Sequence, residues 1–143
     1  MPADGGATRP RVAADGDTVA VTFIGGYCPP APAACTEAPF LAVSGDGGRR
    51  FNGPIRLDAQ AFDAAVAVAG DNVWVVWEHI GGIDIRATSN AGATFPVSRS
   101  IVTNGFSPNI AASGRSVGVV WNTFEGARGI VARNNVLGSV QVL

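Results

Sequence analysis

Apolar and polar positions alternate along this chain in short runs, and one arrangement of them occurs three times. It appears as Pro10 to Phe23 (PRVAADGDTVAVTF), Ala64 to Trp77 (AAVAVAGDNVWVVW) and Pro108 to Trp121 (PNIAASGRSVGVVW). Each copy is a short apolar stretch, a turn built on Gly16, Gly70 or Gly114, and an alternating apolar run ending in Phe23, Trp77 or Trp121. A period of two marks a strand with one buried face, so each copy predicts a β-hairpin. The turn glycines stand 54 and then 44 positions apart, the excess lying in an insertion around Cys28 and Cys35. A multi-stranded unit of that length has the period of a propeller blade.

Two more strands follow each hairpin. In the second copy, Val66 to Val68 and Val73 to Trp77 form the hairpin and Gly81-Gly82 breaks it. Ile83 to Ala87 then alternates as a third strand, Ser89 to Gly92 turns, and Val97 to Val102 supplies a fourth. The counterparts are Phe40 to Val43 and Ile55 to Leu57 in the first copy. In the last they are Gly129 to Arg133 and Ser139 to Leu143, joined by an Asn134-Asn135 turn. The expectation is a single all-β domain over 1–143, made of three four-stranded antiparallel propeller blades at about 8–58, 60–103 and 106–143. Closing a propeller ring takes about four blades or more, so three form an open arc, a partial β-propeller. A meander sends alternate connections to opposite ends. One face therefore carries tight turns, and the other carries the Cys28 to Cys35 insertion, Glu78 to Gly82, Asn122 to Arg128 and the linkers near Asp58 and Asn104. Irregular loops on a rigid scaffold are where binding residues are expected.

Composition narrows the functional classes. Hydrophobic residues make up 47% and charged residues 15%, with 19 glycines and 9 prolines, the profile of many short buried strands joined by turns. All ten basic residues are arginine, which excludes Schiff-base and phosphate-loop lysine chemistry. Only Arg49 and Arg50 are adjacent and the net charge is −1, so no basic stripe exists to track a nucleic acid, and none is expected as partner. Apolar runs stay far below the roughly 20 residues of a membrane helix, and no membrane span is expected. Met1 to Gly6 lacks the basic and apolar regions of a signal peptide, so the expectation is a processed chain or a fragment.

Two stretches at the predicted third-to-fourth turns, Ser44-Gly45-Asp46-Gly47-Gly48-Arg49-Arg50-Phe51 and Thr88-Ser89-Asn90-Ala91-Gly92-Ala93-Thr94-Phe95, share a further pattern. Both resemble the Asp-box, or BNR repeat, whose form is Ser-x-Asp-x-Gly-x-Thr followed by Trp or Phe. The first keeps Ser44, Asp46, Gly48 and Phe51, with Arg50 where Thr is expected. The second keeps Gly92, Thr94 and Phe95, with Thr88 and Asn90 as replacements. The side-chain oxygen at Asp46 or Asn90 is suited to accept turn N–H groups, Gly48 or Gly92 to take positive φ, and Phe51 or Phe95 to anchor the hairpin in its blade. The resemblance, which covers the chain from about Pro10 onward, implies an Asp-box propeller of the sialidase-like superfamily. It further implies that the boxes are structural and lie opposite any active site.

Catalysis of the sialidase kind needs an arginine triad, a Tyr with a Glu partner and an Asp acid/base. Here the sole tyrosine is Tyr27, inside the insertion, and no arginine sits in a motif that maps onto the triad. Other glycosidases need two carboxylates about 5 to 9 Å apart, and Glu78 and Glu125 are the best pair by position in the repeat. The single histidine, His79, excludes multi-His metal sites and has no nucleophile elbow beside it, so it is expected on a surface loop, and no metal or cofactor is expected. Cys28 and Cys35 have no second pair with which to bind zinc; they are expected to form a disulfide, which points to an extracellular or cell-surface location. Trp77 and Trp121 share the repeat position of Phe23 and are expected in the core, with Trp74 between blades and Phe106 and Phe124 exposed. The residues expected to bind are Tyr27, His79, Phe106, Asn122, Phe124 and Arg128. The functional expectation is an extracellular module with a binding or scaffold role, for glycans or a protein ligand. The alternatives are a fragment of a sialidase-like glycoside hydrolase and a self-assembling repeat protein whose homodimer closes a six-bladed ring.

Overall fold

The computed structural model describes residues 6–96, 98–134 and 136–143, so Met1 to Gly5, Val97 and Asn135 lie outside the described residues. Among the described residues all regular structure is β and no helix occurs. The strands are β1 (Thr8–Asp15), β2 (Thr18–Tyr27), β3 (Thr36–Ser44), β4 (Asn52–Arg56), β5 (Asp63–Ala69), β6 (Asn72–His79), β7 (Gly82–Thr88), β8 (Arg99–Val102), β9 (Phe106–Ser113), β10 (Ser116–Thr123), β11 (Gly126–Arg133), β12 (Val136–Leu137) and β13 (Gln141–Val142). They form three antiparallel sheets in chain order, β1 to β4, β5 to β8 and β9 to β13.

Each repeat hairpin closes over two residues. Asp15 pairs with Thr18, Ala69 with Asn72 and Ser113 with Ser116, leaving Gly16, Gly70 and Gly114 at the first loop position with φ of 57°, 57° and 56°. A positive φ there lets the turn twist match the strands, and glycine adopts it without steric cost. A second bond recurs with the same period. The backbone N–H groups of Gly47, Ala91 and Asn134 donate to the carbonyls of Asp17, Asp71 and Arg115, each the residue after a turn glycine. The tight turns of every sheet are thereby tied together at one end, including in the third repeat, which lacks the Ser-x-Asp pattern.

Side chains of alternate residues serve two different cores. From β6, Val73, Val75 and Trp77 pack against Ala20, Ile24, Leu41 and Val43 of the first sheet. Trp74 and Val76 point the other way, towards Val117, Val119 and Trp121 of β10. One rule thus governs both junctions: residues three, five and seven beyond a turn glycine face the preceding sheet, while those four and six beyond face the next. Every side chain of β6 from Val73 to Trp77 is buried, so this strand is apolar throughout. The first strands of neighbouring sheets also adjoin, β1 beside β5 and β5 beside β9.

Several features depart from expectation. The last sheet has five strands, because the expected strand Ser139 to Leu143 is replaced by two short segments, β12 and β13, that both pair with β11. The Gly138 N–H turns in to the Val131 carbonyl at 2.9 Å and interrupts the run between them. The fourth strand of the second sheet spans Arg99–Val102; the expected start at Val97 falls outside the described residues. Phe51 does not anchor its hairpin: it is 42% exposed, whereas Phe95 packs on the first core. As expected, by contrast, Cys28 and Cys35 form a disulfide across the β2–β3 loop.

Truncating a side chain at a junction leaves a cavity that neither sheet can fill. Val75→Ala is expected to lower unfolding free energy in urea by about 2 kcal/mol or more. Val12→Ala, at a position 69% exposed, is expected to change it by less than about 0.5 kcal/mol.

Candidate functional site

The loop end of the second and third sheets bears an open cavity of about 650 Å³ whose lining includes Glu78, His79, Phe106, Phe124, Glu125 and Arg128. Six of the eight candidate catalytic and binding residues therefore line one cavity. They converge because the β6–β7 turn, the β10–β11 turn and the linker from β8 to β9 all emerge at this end. Its volume lies within the range of small-ligand sites.

The cavity combines aromatic faces with fixed charges. Phe124 sits at the β10–β11 turn, 98% exposed, with its ring 5.4 Å from that of Phe106 and tilted by 50°. Phe106 is half-buried, not exposed as expected, because it opens β9 and is covered by its neighbour. Phe62 lines the same cavity and was not anticipated. A signal for it existed, since Phe62 and Phe106 both stand eight residues before a turn glycine. Glu125 Oε2 pairs with Arg128 Nη2 at 3.2 Å, and the Thr123 hydroxyl, donating to the Gly126 carbonyl at 2.9 Å, braces the turn that carries them. Glu78 Oε2 accepts the Ser107 N–H at 2.8 Å, which ties the second sheet to the start of the third. Both carboxylates of the expected acid pair line the cavity, and each already has a partner.

His79 corrects the expectation of a surface loop: it ends β6, and its side chain is 25% exposed. Its Nδ1 accepts the Gly81 N–H at 3.1 Å, so the ring proton belongs on Nε2, which faces Asp84 Oδ1 at 3.2 Å without hydrogen-bond alignment. Asp58 completes a group of three ligand atoms within 4.8 Å of one another. Its Oδ2 accepts the Trp77 indole N–H at 2.9 Å, and its Oδ1 accepts the Ala59 N–H at 2.6 Å. A divalent ion would have to strip the Nε2 proton and set a protonated Nδ1 against the Gly81 N–H. Both Asp58 oxygens are already engaged without it. The third repeat has Val102 twelve residues before its turn glycine, where the second has Asp58, and the equivalent indole N–H of Trp121 is buried without a hydrogen bond.

Two of the residues expected to bind lie elsewhere. Tyr27 ends β2 in the first sheet with the Arg56 guanidinium 3.7 Å over its ring. Asn122 is exposed on β10 outside the cavity lining. A second cavity of about 330 Å³ runs between the second and third sheets beside Trp74, Ile85 and Val117, at the end that carries the tight turns. It lies where the third sheet lacks the larger turn of the other two.

At that opposite end, two turns share one set of side-chain bonds. Ser44 Oγ donates to Asp46 Oδ1 at 2.8 Å and accepts the Gly48 N–H at 2.9 Å, while Asp46 Oδ1 accepts the Arg50 N–H at 2.9 Å. Thr88 Oγ1 donates to Asn90 Oδ1 at 2.6 Å, and Asn90 Oδ1 accepts the Thr94 N–H at 3.1 Å. Asn90 adds a bond of its own, from Nδ2 to the Thr94 hydroxyl at 2.8 Å. Gly92 fits because a Cβ there would stand 2.7 Å from Val43 of the first sheet. The Arg50 N–H and the Ser44 hydroxyl hold the Asp46 carboxyl below the usual aspartate range.

Comparison with known proteins locates the fold. No family model and no curated protein matches the chain. Among solved structures it is similar to a protein of unknown function from Dyadobacter fermentans DSM 18053, with a TM-score of 0.60 and 14% identity. The match covers 87% of this chain and 38% of that one, so the chain spans well under half the length of its structural neighbour.

The Asp46 carboxyl supports a test of the turn. A pKa lowered by folding contributes stability that is present above the ordinary aspartate value and is lost as pH falls through the lowered one. Wild-type stability is therefore expected to decline below about pH 4, and Asp46→Asn, which keeps the acceptor oxygen, is expected to lack that step. Carboxyl NMR placing the Asp46 midpoint at or above the ordinary value would contradict the assignment.

Proposed function

We propose that this chain is a carbohydrate-binding module of extracellular proteins, built as a run of Asp-box propeller blades, and that its ligand binds at the loop end of the second and third sheets. The observation that carries the reading is the 98% exposed ring of Phe124, set against Phe106 at the mouth of the cavity and flanked by the Glu125–Arg128 pair. A bare aromatic face held by a rigid turn is costly in water and suits the apolar face of a sugar ring. Beside it, a carboxylate and a guanidinium are placed to exchange hydrogen bonds with hydroxyl groups.

Three features support the propeller part of the reading. The sheets follow one another with their first strands adjoining, one packing rule holds at both junctions, and two turns carry the same Ser/Thr-to-Asp/Asn bonding. The disulfide in the β2–β3 loop fits an oxidising compartment. Glu78 and Glu125 line the same cavity, which is the observation favouring the second reading, a glycoside hydrolase segment. Their bonds to Ser107 and Arg128 favour positioning over proton transfer.

A glycan array probed with wild type and with Phe124→Ala tests the site. Phe124 contacts no core, so the variant is expected to keep wild-type circular dichroism and to lose at least about tenfold in affinity for any glycan bound. Hydrolysis of fluorogenic glycosides that disappears in Glu78→Gln or Glu125→Gln would establish the enzyme instead.

A further inference from the structure

We infer that the cavity between the second and third sheets, at the end of the tight turns, binds a small aromatic carboxylate. The inference stands apart from the sugar site and rests on what occupies the same place one junction earlier. There the Asn90 turn of the second sheet lies on the first sheet: a Cβ added at Gly92 would stand 2.7 Å from Val43, one added at Gly45 would stand 3.3 Å from the Ala91 Cβ, and Phe95 packs on the first core. The connection carrying these residues runs over 89–98 in the second sheet and 45–51 in the first, but over 134–135 alone in the third. The third sheet thus has no counterpart of Phe95 to set against the second. Trp74, Ala87, Ser89 and Val117 hold the repeat positions of Ala20, Val43, Gly45 and Val73, with Trp74 paired to Ala87 as Ala20 is to Val43. All four line the cavity, so it occupies the place that a third such turn would fill.

The walls select the ligand. Trp74, Ile85, Val117 and Ala132 are buried apolar residues that border the cavity, and an aromatic ring gains both area burial and a favourable ring contact against such a surface. The volume of about 330 Å³ lies at the lower end of small-ligand sites, which suits a body of one or two rings. Exposed Arg99 lines the same cavity, and Arg115 lines an adjoining hollow of about 310 Å³ that shares Trp74 and Ser89 with it. Among the described residues no aspartate or glutamate lines either hollow. Two guanidinium groups with no carboxylate beside them favour an anion, and the planar fork of arginine matches a carboxylate. The tight turns are closed by their own bonds, and the site lies beside them, where the larger turn is missing. It sits inside a junction between two sheets of this chain, so a further sheet stacked by the same rule would cover an outer face and not this cavity.

Titration of the 143-residue chain with 1-naphthoate, followed by methyl NMR, tests this directly. The probe is expected to shift the methyl signals of Ala87, Val117 and Ala132, and 1-naphthalenemethanol, its neutral counterpart, to bind about tenfold more weakly. The double variant Arg99→Gln/Arg115→Gln is expected to abolish that preference while circular dichroism stays unchanged. Ala87→Leu, which puts a larger side chain into the cavity, is expected to weaken both compounds about tenfold or more. The methyl shifts locate the probe in the wild type whether or not that last variant folds. No shift with either compound up to millimolar concentration would overturn the inference, and so would equal binding of the acid and the alcohol. Shifts confined to the rings of Phe106 and Phe124 would place the probe in the loop-end cavity and overturn it too.

Discussion

Everything else in this molecule depends on the burial of one strand from both sides. β6 sends Val73, Val75 and Trp77 into the first core and Trp74 and Val76 into the second, so the middle sheet is the shared wall of two hydrophobic layers. A fully buried valine contributes roughly 1.5 to 3 kcal/mol, and five large side chains in succession outweigh any single polar contact in the chain. The strand pairs between β5 and β7, so the sheet cannot shift register by one residue without exchanging the two sets of side chains between cores.

That constraint sets the two ends of the fold apart. At one end the chain repeats itself: a glycine turn, a neighbouring turn bonded to it through the backbone, and in two sheets a serine or threonine linked to an aspartate or asparagine. These bonds close polar backbone groups locally and leave little free chemistry. At the other end the connections differ from sheet to sheet. There the packing of the second sheet on the third gathers Glu78, His79, Phe106, Phe124, Glu125 and Arg128 around one cavity. The interaction between Glu78 and the Ser107 N–H spans the two sheets at this cavity.

Trp77 and Trp121 show how two copies of a repeat diverge under this arrangement. Both indoles occupy the same place in their sheets and both are buried, but only Trp77 meets a carboxylate for its N–H. The difference traces to the residue twelve positions before the turn glycine, Asp58 in the linker after β4 in one case and Val102 at the end of β8 in the other. At Gly105, the linker into the third sheet comes so near Trp121 that a Cβ would stand 2.6 Å from its ring.

The amino-acid pattern by itself determined the strands and their grouping, because a period of two and a glycine turn are local signals that depend only on neighbouring residues. It also marked most of the cavity residues, through the irregular stretches between strands. Tertiary structure decided what lies across space. The Asp58 bond to Trp77 joins residues 19 positions apart, and nothing in the spacing foretells it. The tilt of Phe106 against Phe124, the packing of the Arg56 guanidinium over Tyr27, and the inward placement of His79 have the same origin. So has the splitting of the last strand at Gly138, where a backbone bond to Val131 won over a continuous ladder. Alternation states which side of a strand is apolar, but which loops meet depends on how the sheets stack, and that is set by side-chain volumes summed over both faces.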